Sequence, residues 1–381
     1  MKNLGFIISV VLVWSLSLIN TSGLGLAYDT PTKTNWLILL WCLLIVRKSD
    51  LVRMLEMNIA LILGVFISFI LLPLFTSGSW DGLSYLTMIP LVYCFSKLRI
   101  SSWAFQLSGY IIAGLGLFIL FVYSRTSILE GWNDNHISMI GLFSYLYYSI
   151  SLYGKMTGKK LTIGIAISIL YVTMLNGTNS RSAMIFIVFA LLLAYRGELF
   201  RKLLAKRKFV FIAVNIPLII SLLFIFFPDL FIFQYFEEWS MDNYGKSAFN
   251  GRDELWMEAY EGLSETYYLG VGEFLMNHHN SAVAVLSVFG ILGYICWYKL
   301  LAKPITYVRR FINDNLTFGF LASFLLIFWQ QSFELGFVHS SPNMIPYMIL
   351  GLGIARAREI SMQQFVENDY TLSEQECEEL N

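Results

Sequence analysis

The chain has 381 residues, with 26 Lys and Arg against 26 Asp and Glu; 57% of it is hydrophobic, only 14% is charged, and its mean hydropathy is +0.63. Runs such as Leu61–Phe75, Ile111–Tyr123 and Phe211–Phe227 are continuously apolar rather than alternating, which excludes a barrel and a soluble domain. A bilayer admits only structures that pair their backbone internally, so the class is an all-α, polytopic integral membrane protein.

In chain order the apolar runs predict about twelve spans, at 4–20, 33–46, 57–75, 83–95, 104–124, 137–153, 161–176, 182–195, 209–227, 281–298, 316–333 and 343–355. Gly25-Leu26-Ala27 offers a small-x-small cleavage site, but it lies well past a long first run, which is read as a retained helix. Counting alternate connections puts all but five of the 26 cations on one side, with both termini cytoplasmic. Lys33, Arg125, Arg181, Lys246 and Arg252 are the exceptions, and His136, His278, His279 and His339 share their side. No Asp, Glu, Lys, Arg or His falls in the central part of any predicted span, which argues against an ion-coupled carrier. Residues 1–361 form a single transmembrane domain, and the acidic tail 362–381 is expected to be solvated and disordered. Cys42, Cys94, Cys296 and Cys377 fall in spans or in this tail, so no disulfide framework is implied.

The largest outer segment, about 228–280, carries ten carboxylates against Lys246 and Arg252, so no nucleic-acid partner is expected. Within it, Leu255, Trp256, Ala259, Tyr260, Leu263 and Tyr267 mark one face of an amphipathic helix over Gly251–Tyr268, suited to the headgroup layer. Packing of the same face onto the bundle is an equal reading.

Arg181 follows the polar turn Asn176–Ser180, in which Ser180 or Asn179 can cap the next helix. A cation in a helix's first turn is electrostatically poor unless an anion joins it, and the guanidinium, the free amides and the dipole would then act together. This favours an anion site over simple pairing with headgroups. Arg252 stands likewise at a helix start, where a salt bridge explains it equally well. Snorkelling to headgroups accounts for Arg125 on sequence alone. His279 lies at the mouth of the tenth span, where the helix end disfavours the imidazolium; a histidine with no role is an even alternative. His278 and His279 are adjacent and lack a partner at ligand spacing, so neither a metal nor another cofactor is expected.

At these residues the chain resembles the O-antigen polymerase and O-antigen ligase superfamily. Thr178-Asn-Ser-Arg181-Ser-Ala-Met-Ile-Phe looks like the family's Arg turn before an apolar helix. Asn250-Gly-Arg252-Asp-Glu-Leu-Trp256 with Leu269-Gly-Val-Gly-Glu273 is similar to its "G-R-x-x-x-W … G-x-G" stretch, and His279-Asn280 with Phe289-Gly-Ile-Leu-Gly293 to its "H-N … G-x-x-G" segment. Asn133-Asp-Asn135-His136 after Arg125 resembles an earlier Arg-to-Asn segment. After the His-Asn pair this chain runs Ser281-Ala-Val-Ala, where some ligases carry further polar residues.

The resemblance implies an inverting, metal-independent glycosyl transfer at the outer face of the bacterial inner membrane. The donor and acceptor would be undecaprenyl-diphosphate-linked oligosaccharides, with membrane lipid, a chain-length regulator and a flippase as further partners. Arg181, Arg252 and Arg125 would hold the diphosphate, His279 would serve the acceptor hydroxyl, and Asn280, Asn135 and His278 would contact substrate. A polymerase is the leading expectation, a ligase acting on lipid A–core the second, and a lipid-linked oligosaccharide flippase the alternative from another class.

Overall fold

Apolar runs whose backbone can pair only with itself become helices. In the computed structural model of the chain every regular element among the described residues is helical. Those residues are 2–21, 31–45, 59–80, 82–83, 87–126, 134–154, 158–178, 180–245, 247, 251–274, 278–334 and 343–379.

The helices are α1 (Lys2–Thr21), α2 (Pro31–Ile45), α3 (Ile59–Thr76, with a π-helical stretch at Ile67–Leu71), α4 (Met88–Ser96) and α5 (Ser102–Arg125). Then come α6 (Asp134–Ser149), α7 (Lys159–Asn176), α8 (Arg181–Arg196), α9 (Glu198–Leu204) and α10 (Arg207–Phe226). The last five are α11 (Phe231–Tyr244), α12 (Arg252–Glu265), α13 (Ser281–Val308), α14 (Asn315–Gln330) and α15 (Ile345–Glu379).

A helix stands at each of the twelve expected positions, although α4 covers only part of 83–95. Among the described residues, length and apolarity qualify five helices to cross a membrane, namely α3, α5, α7, α10 and Ser281–Phe311, or six if α8 and α9, bent by 94°, form one span. The helix of α15 runs through most of the expected tail, as far as Glu379.

Every residue of α6 from Ile137 to Ser149 is buried, and α14 is nearly so, as expected for helices apolar on all sides. Small and hydroxylated residues let the neighbours approach. A Cβ on Gly116 would stand 2.6 Å from that of Ser144, whose hydroxyl accepts from Trp14 Nε1 at 2.9 Å. Tyr145 meets Ser168 at 2.7 Å, and Tyr171 donates to the Ala113 carbonyl at 2.8 Å. Such polar contacts fix neighbours where the hydrophobic effect cannot distinguish a helix from lipid.

The two ends of the bundle differ. At one, Arg356 forks onto Asp314 at 2.9 and 3.1 Å, Arg358 donates to the Ser96 carbonyl, and Arg309 to that of Ala205. At the other stand Arg181, Arg252 and His279, where α8, α12 and α13 begin.

Candidate active site

The site is assembled on a helix that breaks. Gly290 sits at φ 67, ψ −172 inside α13, a region essentially closed to residues with a Cβ. The break frees backbone groups, and a loop takes them up: Val271 and Gly272 donate to the Ser287 and Val288 carbonyls at 2.9 Å, while the Ile291 amide turns to the Tyr268 carbonyl. The two glycine motifs therefore meet backbone to backbone, since a Cβ on Gly270 would come within 2.5 Å of the Gly290 nitrogen.

Ahead of the break, Asn280 caps α13, accepting from the Ala282 and Val283 amides. Its own amide donates to the Pro217 and Ser332 carbonyls at 2.8 and 3.2 Å. Asn280 is fully buried, and its side chain clamps the mouth of α13 to α10 and to residues 331–334. The Ser281 amide adds a bond to the Gln331 carbonyl at 3.0 Å, holding residues 331–334 against the mouth of α13.

Helix α12 completes the frame. Trp256 is fully buried, lies edge-on to Phe224 at 5.8 Å, and donates Nε1 to the His278 carbonyl at 2.7 Å. Ala259 and Leu263 are buried beside it, and Tyr260 meets Ser221 of α10 at 3.0 Å. The apolar face expected along the headgroup layer thus packs on the bundle. Tyr267 lies past the helix end at φ 52 and is 86% exposed, so it does not belong to that face.

Glu334 stands at the centre of this frame. One carboxylate oxygen is 3.7 Å from the Arg252 guanidinium, the other 3.7 Å from His279 Nδ1, and the Glu334 side chain is only 8% exposed. Burial draws the Arg252 guanidinium below its ordinary pKa; Glu334 opposes that, and Arg181 adds to it by repulsion. Arg181 Nη2 also donates to the Ser247 carbonyl at 3.1 Å, and the Ser247 hydroxyl donates to Glu237 at 3.0 Å. Ser180 occupies the cap position of α8 but its hydroxyl makes no cap bond, contrary to expectation; Asn179 lies outside the described residues.

His279 has φ 46, a left-handed backbone held between the Trp256 bond on one side and the Asn280 clamp on the other. A non-glycine backbone kept in such a conformation by its surroundings marks a place where geometry has been specified. His278 turns inward, 4% exposed. Burial first, and His279 second, push its imidazole down to about 4, so it is neutral at pH 7.

Residues 166–298 match the family model described as O-antigen ligase. The match supports the O-antigen ligase and polymerase superfamily. Members of this family are glycosyltransferase-like membrane enzymes. No curated protein matches the chain.

The matched O-antigen ligase stretch contains Arg181, Arg252, His278, His279 and Asn280, and leaves out Arg125, Asn135 and Glu334. Arg125 is exposed at the end of α5. Its neighbour Ser124 approaches Met174 and Gly177, so this helix end adjoins the turn before Arg181. Tyr123 donates to Asp134, tying the start of α6, with Asn135, to the same corner. His339, Lys246 and Asn250 lie outside the described residues. Among the described residues no three His, Cys, Asp or Glu side chains are grouped to hold a metal ion.

Sequence reasoning missed Glu334 and Ser247. Gln330-Gln331-Ser332-Phe333-Glu334 is an abrupt polar step after an unbroken apolar run, and that signal could have nominated the carboxylate.

Proposed function

We propose that the chain is a surface-glycan polymerase, which moves a growing glycan from a polyprenyl diphosphate onto a lipid-linked repeat unit. One observation carries this reading: Glu334 stands between Arg252 and His279, with Arg181 close enough to perturb Arg252. Two converging guanidiniums suit a diphosphate, and they offset charge as it develops on the leaving oxygen.

In the proposed step the acceptor hydroxyl attacks the anomeric carbon as the bond to the diphosphate oxygen breaks. The hydroxyl proton passes to His279 Nε2, because Nδ1 faces Glu334 and is oriented by it. The diphosphate departs with the bonding pair, held by Arg181 and Arg252, and inversion at the anomeric carbon follows. A lipid diphosphate is a good leaving group, so the glycosidase pair of carboxylates is not required. The reading places the site on the periplasmic face of the bacterial inner membrane, with the chain-length regulator and flippase as neighbours.

The description of the matched family favours a second reading, an O-antigen ligase that delivers finished glycan to lipid A–core. Gene deletion in the native host separates the two. A single repeat unit on core supports polymerase; bare core with accumulating lipid-linked polymer supports ligase; unpolymerised repeat held on the cytoplasmic leaflet supports a flippase and overturns both. For the site, His279→Ala and Arg181→Ala should each lower turnover by about 100-fold or more, with the protein still in the membrane. Undiminished activity in either variant removes that residue from the mechanism.

A further inference from the structure

Toward the end of the bundle away from His279, helices α3, α10 and α13 line an open cavity of about 1350 Å³. Its wall on α13 recurs every three or four residues, the spacing of a single helical face. That face changes character along its length. Leu292, Ile295 and Cys296 line the deeper half, then Lys299 and Lys303, with Arg310 in the following turn. From Leu292 to Tyr307 the face extends about 22 Å. Helix α10 repeats the gradient in reverse chain order, with Arg207 and Lys208 at the mouth and Phe211 deeper. Ile59 and Leu61 of α3 supply an apolar opposite wall, which closes where Gly64 and Cys296 touch.

Five cations therefore face one cavity whose described lining contains no carboxylate. An excess of Lys and Arg at one membrane face is general, but it is ordinarily spread over exposed connections. Here it converges on a cleft that is apolar above and cationic below, the profile of an anionic lipid with its head at the mouth. The volume exceeds that of most small-ligand pockets, which leaves room for chains as well as a headgroup. Basic clefts between membrane helices bind phospholipid headgroups in this manner.

We propose that this cavity is a binding site for an anionic glycerophospholipid, distinct from the site at His279. Its headgroup lies in the cationic half lined by Lys299, Lys303, Arg310, Arg207 and Lys208, and its chains lie along Leu292, Ile295 and Phe211. The proposal is independent of whether the chain polymerises or ligates glycan.

Native mass spectrometry of the purified full chain in mild detergent tests it. Phosphatidylglycerol, phosphatidylcholine and inorganic phosphate are the probes. The expected result is retention of phosphatidylglycerol at least about tenfold above phosphatidylcholine, undisturbed by inorganic phosphate at equal concentration. The triple variant Lys299→Gln, Lys303→Gln, Arg310→Gln should lose that retention about tenfold. Lys202→Gln with Lys206→Gln, cations of the same end outside the lining, should keep it. Ala302→Phe puts a ring into the lining between Lys299 and Lys303 with every cation in place, should also lower retention, and decides the matter if the triple variant does not fold. Equal retention of the two lipids, or retention unchanged by Ala302→Phe, overturns the proposal. Displacement by inorganic phosphate also overturns it, in favour of a soluble anion site.

Discussion

Glu334 divides its two oxygens between a guanidinium and an imidazole, and this sharing gives it a role that neither partner fixes alone. A carboxylate facing one imidazole nitrogen sets the tautomer and presents the other nitrogen to substrate. The same carboxylate holds Arg252, which is buried to 14% side-chain exposure and would be costly to leave without it. Glu334→Gln keeps the shape and removes the charge. We expect turnover to fall about 10- to 100-fold, the range typical of lost orienting partners, with protein abundance in the membrane unchanged. A positioning role also predicts that the acid limb of the pH–rate profile moves, which simple loss of packing would not cause. An unchanged profile with unchanged turnover would show that Glu334 only fills space.

At the scale of elements, the site depends on where helices fail. Pro217 lacks the amide that would meet the Ala213 carbonyl one turn earlier in α10, and Trp329 Nε1 donates to that carbonyl at 2.9 Å instead. Pro217's own carbonyl receives Asn280, so the proline also anchors the clamp at the mouth of α13. The break at Gly290 is the sharper case. A Cβ there would lie 2.5 Å from the Leu269 and Tyr268 carbonyl oxygens, rigid backbone that cannot move aside, and the backbone angles add their own strain. Gly290→Ala should destabilise the protein by at least about 2 kcal/mol, read as a lower thermal midpoint in detergent. Gly114→Ala, with nothing within 4 Å of the new methyl, should leave the midpoint unchanged or raise it. Equal midpoints for the two variants would contradict the account of the break.

The helices themselves were legible because continuous apolar runs leave the backbone no other solution. So was the placing of Arg181, Arg252 and His279 at helix starts on one side. What the sequence concealed was reciprocal contact. Asn280 reads in the sequence only as half of a His-Asn pair, whereas its cap and its bonds to the Pro217 and Ser332 carbonyls join segments more than 50 residues away. Glu334 is 55 residues from its imidazole partner, and no local pattern announces a pairing made by helix packing.

Across the whole molecule, the ends of the bundle differ in the acid each can tolerate. Near the active-site end, His278 has a folded pKa pushed down to about 4 from 6.5, by burial first and by His279 second. The unfolded imidazole takes a proton below 6.5 that the folded one refuses. Stability is therefore constant above that pH, declines as pH falls toward 4, and loses no more from this group below it. The loss is on the order of 3 kcal/mol. At the far end burial works to raise the Asp314 carboxyl, but the Arg356 fork and the Thr317 bonds outweigh it and hold it below the ordinary 3.8. Its contribution is present above the unfolded value and disappears as pH falls through the lower folded one, in a window beneath that of His278. The thermal midpoint in detergent should accordingly fall in two stages, between pH 6.5 and 4 and again below 4. His278→Gln should remove the first stage and keep the second, whereas Asp314→Asn should remove the second and keep the first. If the His278→Gln protein retains the decline between 6.5 and 4, the buried imidazole is not its source.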